Sequence, residues 1–383
     1  MKQILAILPS KVLYGKERSN IEVYNLIKEK LNINITVAIN KKANKKIQDS
    51  TSNLVTYTIT FPERHRKNFS ILRYIKDYII TNIQIYSLIK KTNPDALFLC
   101  SELSFYDLYP ALKLAKKKMI YRIGDEPAYK KLSFYRYNSF VWEKFVIPKV
   151  DTFIYISQYI KKTVEKTGRK SSKDIIIYNY PPTRRKNLPD ESFKYPSSPK
   201  NGIIFGYLGQ IIQQKGVSLL IEAAIETLKQ NPNNKFYIAG SLEYDMSFSE
   251  SIKKAIPQKY LSNIILLDEI LDIELFFSKI DILCVPSIKQ EPLGNVLVEA
   301  KKYKKACIIF PTGGMPELIT HQHDGFICRD ITVEALKEGL NYYINNKKLI
   351  MQHNANSFAS ISELHIDRLS FEEKWKTVIQ RLQ

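Results

Sequence analysis

The chain has 383 residues, 44% apolar and 25% charged, with 58 Lys+Arg against 38 Asp+Glu and a formal net charge of +20. This composition excludes a disordered or fibrous chain, and at about 100–200 residues per domain it predicts two domains. No apolar run approaches the ~18–20 residues a membrane-spanning helix needs.

In chain order, the opening MKQILAILPS has an apolar core of about five residues, short of the ~7–15 of a secretory signal. It reads as a first buried strand, and the protein is expected to stay in the cytosol. The runs KQILAIL, INITVAI, ALFLC, KMIYRI, TFIYIS and DIIIYN read as strands, with helices over 18–30, 71–91 and 108–117. Residues 180–200 hold five prolines and no hydrophobic period, the composition of a linker. Beyond it GIIFGYLG, KFYIAG, NIILLD, DILCVP, KACIIF and GFICR read as strands, with helices over 215–230, 249–256, 272–279, 295–304 and 333–345. Strand–helix alternation predicts parallel sheets covered by helices. It occurs twice, so the expected fold is α/β: two Rossmann-like doubly wound domains, residues 1–179 and 201–365, facing across a cleft. Residues 366–383 read as a final helix with Phe371, Trp375, Val378 and Leu382 on one stripe and Ser370 as cap; it could pack on either domain. Cys100, Cys284, Cys307 and Cys328 are widely spaced and lie mostly in strand-like runs, which predicts buried thiols rather than a disulfide framework or zinc site.

The charge is uneven. Residues 1–195 hold 37 Lys+Arg and 17 Asp+Glu, whereas residues 196–383 hold 21 of each. A basic first half implies an anionic partner: a membrane surface, a phosphorylated lipid, an acidic glycan or a nucleic acid. Within it, residues 61–91 interleave Arg64, Arg66, Lys67, Arg73 and Lys76 with Phe69, Ile71, Leu72, Tyr74, Ile75 and Tyr78. Such a helix either lies on an anionic membrane or packs its apolar face on the first sheet.

EPLGNVLVEA, residues 291–300, stands between the strand DILCVP and a helix starting near Gly294. The first N–H groups of that helix can cradle an anion, and Asn295 and Glu299 share one face. Glu291 precedes the helix. A carboxylate aimed at a phosphate repels it, so two glutamates suit hydroxyl donors. A nucleotide sugar meets both demands, while an isolated pair could equally be surface glutamates stabilising a helix start. Asp272, in the acidic stretch LDEILDIE, lies where a helix begins and needs no metal. His321 and His323 read as solvated loop residues, His65 as surface, and KKYKK at 301–305 as a solvated helix face.

Together with its context, EPLGNVLVEA resembles the Glu-x7-Glu motif of the family 4 retaining glycosyltransferases, which have the GT-B fold. PTGGMPELITHQHDGFIC, FGYLGQIIQQKGVSLLIEA, YGKERSNIEVYNLIKE, TFIYISQYIKKTV, IIIYNYPP and SFEEKW are similar to further family segments in the same order. The resemblance implies that Glu299 binds the donor ribose and Glu291 the transferred sugar. It implies that the amides of Leu293, Gly294 and Asn295 hold sugar and distal phosphate, that Lys215 neutralises the diphosphate, and that Gly15 approaches it from the other domain. It implies a final helix that crosses back to the first domain. Gln210 stands where the family usually has Arg, with Arg184 or Arg185 as a substitute cation. No histidine follows KMIYRI, where Arg122, Asp125 and Glu126 become candidates for a sugar or acceptor contact. No metal or other cofactor is implied. The expected partners are a nucleotide-sugar donor, a glycan or polyprenyl-diphosphate-linked acceptor of the cell envelope or capsule, and an anionic membrane surface at the inner face of the cell membrane. No nucleic acid is expected. The competing readings are a polyanion- or nucleic-acid-binding protein and another GT-B-type enzyme, an epimerase or phosphorylase.

Overall fold

A computed structural model of the chain describes residues 2–63, 70–127, 135–180, 201–270 and 272–382. The expected linker lies outside them apart from Tyr180, as do Arg184 and Arg185, and Arg64, His65, Arg66, Lys67 and Phe69 of the basic stretch. The chain divides into two compact units, Met1–Asn179 with Arg368–Gln383, and Tyr180–Asp367.

The first unit carries seven strands: β1 (Gln3–Leu8), β2 (Asn34–Asn40), β3 (Val55–Ile59), β4 (Ala96–Leu99), β5 (Lys118–Ile123), β6 (Thr152–Tyr155) and β7 (Ile175–Ile176). They pair in parallel in the order β3-β2-β1-β4-β5-β6-β7. Ile4, Leu5, Ala6 and Ile7 of β1 are all fully buried, as a strand covered on both faces requires. β3, absent from the sequence reading, is an edge strand whose Val55, Thr56 and Thr58 are exposed; its polar alternation hides it among loop residues.

The second unit repeats the plan with β8 (Ile204–Leu208), β9 (Lys235–Ala239), β10 (Ile264–Leu267), β11 (Ile282–Val285), β12 (Cys307–Ile309) and β13 (Gly325–Ile327). Its parallel order is β10-β9-β8-β11-β12-β13. Both sheets are thus doubly wound, and the winding reverses between β1 and β4 in one and between β8 and β11 in the other. Reversal opens a crevice at the carboxyl ends of those central strands, where such sheets bind ligands.

Three helices differ from expectation. The helix read over 108–117 spans Glu102–Ala115 and continues through Pro110. Proline cannot donate to the carbonyl of Tyr106, which accepts instead from the Tyr137 hydroxyl at 3.0 Å. The Asn82 side chain braces the same turn, donating to the Asp107 carbonyl at 2.8 Å and accepting from the Ala111 N–H at 3.0 Å. The helix Lys347–Glu363 escaped the sequence reading because the residues it buries are His353, Ser357 and Ser360, not an apolar stripe. His353 Nδ1 shares a hydrogen bond with the Tyr343 hydroxyl at 3.0 Å. The final helix begins at Arg368, so Ser370 is not its cap: it lies inside the first turn, and Asp367 takes the preceding position, where Asp caps as well as Ser. Phe371, Trp375, Val378 and Leu382 are buried as expected. Trp375 stacks on Phe98 of β4 at a centroid distance of 5.5 Å, and Phe98 meets the edge of Tyr24 at 5.3 Å.

The helix Ile71–Thr92 packs one face within its unit, as the second alternative expects, and leaves another apolar face exposed. Thr81, Ile85, Leu88 and Ile89 are buried, and Tyr74 and Tyr78 bond to Asp107 and Tyr137. The opposite face carries Leu72, Ile75, Ile79 and Ile83 at helical spacing, all exposed, Leu72 by 78% and Ile83 by 64%. Cys100, Cys284, Cys307 and Cys328 are free and buried.

Candidate functional site

The reversal point of the second sheet gathers most of the candidate residues. The loop leaving β8 is tied at Gly209, whose N–H donates to the Ala239 carbonyl at 3.0 Å, and at Gln210, whose carbonyl accepts the Tyr207 hydroxyl at 2.7 Å. A short 3₁₀ turn, Gln213–Lys215, follows. Gly216 then sits at φ +71°, and a Cβ there would run into the carbonyl of Pro286, the first residue after β11. Only glycine permits this approach. The Gln214 carbonyl also accepts from the N–H groups of Ile288 and Lys289 at 2.9 and 3.2 Å. The two loops therefore run against each other by backbone contact.

Their side chains meet as a result. Lys215 Nζ lies 2.5 Å from Glu291 Oε1, with the two side chains 29% and 16% exposed. The Glu291 backbone is fixed from behind by the GGMPE segment. Its carbonyl accepts from the Gly314 N–H at 2.7 Å, Gln290 Oε1 accepts from the Gly313 N–H at 2.5 Å, and Thr312 Oγ1 donates to the Ser287 carbonyl at 3.0 Å. Gly313, at φ +59°, leaves no room for a Cβ against the Glu291 backbone. Burial, and then the Glu291 carboxylate, push the Tyr207 phenol above its usual range.

Glycine at 294, with φ +87°, turns the loop into the helix Asn295–Lys302. Leu293 is buried and anchors the turn, while Asn295 and Glu299 are half-buried, one turn apart on a shared face. The KKYKK segment is not a solvated face. Lys301 is wholly buried, 2.7 Å from both Asp324 Oδ2 and Ser360 Oγ, and Lys305 donates to the Ile280 carbonyl at 2.7 Å. A Lys can be buried only where a carboxylate meets it, and Asp324 lies too far along the chain for spacing to reveal the pair. His321 and His323 are exposed. Asp272 caps the helix Ile273–Lys279, accepting from the Leu275 N–H at 2.9 Å. Among the described residues no group of three or more His, Cys, Asp or Glu side chains could hold a metal ion.

The remaining candidates belong to the first unit. Gly15 is exposed and opens the helix Gly15–Leu31 after β1, at the reversal point of that sheet. Glu17 holds this turn, accepting from the Tyr14 N–H at 3.1 Å and the Ser10 hydroxyl at 2.7 Å. Arg122, near the end of β5, is only 3% exposed. Its guanidinium donates to Asn20 Oδ1 at 2.6 Å, to Ser19 Oγ at 2.7 Å and to Asn179 Oδ1, and burial pulls its pKa down to about 10. This candidate for a sugar or acceptor contact is thus hydrogen-bonded within the interior of its unit. Asp125 pairs with Lys16, and Glu126 accepts the Tyr159 hydroxyl.

Residues 190–359 match the model of the family described as Glycosyl transferases group 1. That segment covers less than half of the chain. Lys215, Glu291 and Glu299 all fall inside it. The chain is 26% identical over 156 residues to the capsular polysaccharide biosynthesis glycosyltransferase CapM of Staphylococcus aureus, a match covering 41% of this chain and 40% of CapM. It thus spans less than half the length of that relative. It is 25% identical over 285 residues to the uncharacterized glycosyltransferase MJ1069 of Methanocaldococcus jannaschii, covering 72% of this chain and 71% of the other. Among solved structures, Anabaena Alr3699/HepE in complex with UDP and glucose superposes with a TM-score of 0.77 over 100% of both chains at 17% identity. The chain thus shares the fold of that structure.

Proposed function

We propose that the chain is a retaining glycosyltransferase that moves a sugar from a nucleoside diphosphate donor to a glycan or polyprenyl-diphosphate-linked glycan during capsule or cell-envelope polysaccharide synthesis. The observation carrying this reading is the meeting of Lys215 and Glu291, from two loops, at the reversal point of the second sheet. A cation for a diphosphate and a carboxylate for sugar hydroxyls stand side by side, with the start of the helix Asn295–Lys302 beside them. Capsule synthesis is the role named for CapM, and UDP and glucose are the ligands named for HepE.

In this reading the amides of Leu293, Gly294 and Asn295 and the Lys215 ammonium stabilise the departing diphosphate through fixed dipoles and charge. Glu291 accepts hydrogen bonds from the transferred sugar and Glu299 from the ribose, while Gln210 donates where the family usually has a cation. The leaving group's charge is met by Lys215, so the reading calls on no divalent metal. The acceptor hydroxyl attacks the face the diphosphate leaves, giving an α-linked product from an α-linked donor.

The test is a thermal-shift panel of UDP, GDP, ADP and dTDP, followed by nucleotide release from the matching sugar donors and assignment of the product anomer by NMR. Concentration-dependent stabilisation by one base, reduced in Glu299→Ala, is expected. No stabilisation by any of the four would sink the reading.

A peripheral membrane location is part of the same proposal. The exposed stripe Leu72, Ile75, Ile79 and Ile83 shares its helix with Arg73, Lys76, Lys90 and Lys91 against one acidic residue, Asp77. An apolar face with cations beside it suits the boundary of an anionic leaflet.

A further inference from the structure

The Lys215–Glu291 pair has a consequence for ligand choice. Both partners are locked at the backbone: Lys215 by the close approach of Gly216 to Pro286, Glu291 by its carbonyl bond to Gly314 and the packing of Gly313. Neither can retreat without dismantling those contacts, so a ligand that takes Lys215 must do so by side-chain movement alone. The Tyr207 hydroxyl is committed to the Gln210 carbonyl at 2.7 Å. The carboxylate and ammonium, each largely withdrawn from water, satisfy each other.

We propose, resting on the donor-site reading above, that Glu291 is a competing counter-ion for Lys215 and that this competition makes the site prefer an intact nucleotide sugar to the bare nucleoside diphosphate. An intact donor offers two exchanges at once. Its diphosphate replaces the carboxylate at Lys215, and its sugar hydroxyls replace the ammonium at Glu291. A bare diphosphate offers only the first, leaving a partly desolvated carboxylate beside added negative charge, which is unfavourable. Once the sugar has been transferred, Glu291 can reclaim Lys215 and the diphosphate is expelled. Glu291 therefore acts twice, as a sugar contact and as the group that clears the product.

The experiment is calorimetric titration of UDP, GDP and ADP, each beside its glucose conjugate, into the parent, Glu291→Gln, Lys215→Ala and the double variant, with melting curves as the control for folding. Glutamine keeps the shape and loses the charge. Glu291→Gln is expected to bind the preferred diphosphate about ten-fold tighter and its glucose conjugate no tighter, closing the gap between them. Lys215→Ala should weaken both ligands and abolish the gain in the double variant. A parent that binds a diphosphate while Glu291→Gln binds it no tighter overturns this inference alone. A parent that binds none of these diphosphates or conjugates, and neither dTDP nor its glucose conjugate, overturns the donor-site reading and the inference with it.

Discussion

Lys301 holds its ammonium 2.7 Å from Oδ2 of Asp324, and neither side chain is more than 1% exposed. Asp324 Oδ1 meanwhile accepts from the Thr320 N–H at 2.7 Å. Lys301 stands two residues after Glu299 on the helix Asn295–Lys302, and the pair ties that helix to the segment carrying Asp324. Removing one member of a buried pair strands the other charge, at a cost of about 3–5 kcal/mol, whereas replacing both with apolar groups is often neutral. Lys301→Met is expected to lower the unfolding free energy of the second unit, read from urea curves, by that scale, and Lys301→Met with Asp324→Leu to recover most of it. Equal losses in the single and double variants would show that the pair is not the source.

Asn82 bonds to both the Asp107 carbonyl and the Ala111 N–H, on either side of Pro110. Asn82→Leu removes both of these part-buried hydrogen bonds, each contributing about 0.5–1.5 kcal/mol. The expected result is a clear loss of thermal stability and faster amide exchange at Ala111. Unchanged exchange there would mean that water serves in place of Asn82.

Glu63 gives a pH dependence of known sign. Burial works to raise its carboxyl, but hydrogen bonds and charge from Lys11 and Lys42 outweigh it and hold the pKa at about 2, against an ordinary 4.5. A depressed carboxyl contributes stability above its unfolded value and loses it as pH falls from 4.5 toward 2. Glu63→Gln should therefore flatten the stability profile of the first unit across that window. A side-chain NMR titration placing Glu63 near 4.5 would contradict this.

The stripe Leu72, Ile75, Ile79 and Ile83 predicts selective sedimentation with vesicles containing phosphatidylglycerol over neutral ones, weakening with salt. Ile79→Glu with Ile83→Glu should abolish it, and Lys76→Gln should weaken it about five-fold, roughly 1 kcal/mol per cation. Equal binding to neutral and anionic vesicles would remove the anionic preference, and binding to neither would remove the membrane from the proposal.

The two parallel sheets were legible because buried parallel strands are continuous apolar runs, and ILAIL, ALFL and ILCV cannot be mistaken for anything wet. The start of a helix at Gly294 was legible from glycine and a resumed period. What was not legible was whatever depends on partners distant in sequence. Asp324 turns Lys301 inward from 23 positions away, and Asn82 braces the helix turn around Pro110 from 29 positions before Ala111. The neighbourhood of Lys215 and Glu291 could be inferred only by resemblance, since they are 76 positions apart. The Gly216 and Gly313 contacts that lock them leave no periodic trace.

Trp375, stacked on Phe98 of β4, bears on how the chain comes to be built. A strand made early is sealed by an aromatic ring that leaves the ribosome only after the whole of the other unit. Until then the growing polypeptide must carry an unfinished first body with apolar rings uncovered, a state prone to self-association. Synthesis order thus makes the docking of Arg368–Gln383 a late step in the assembly of the unit they join.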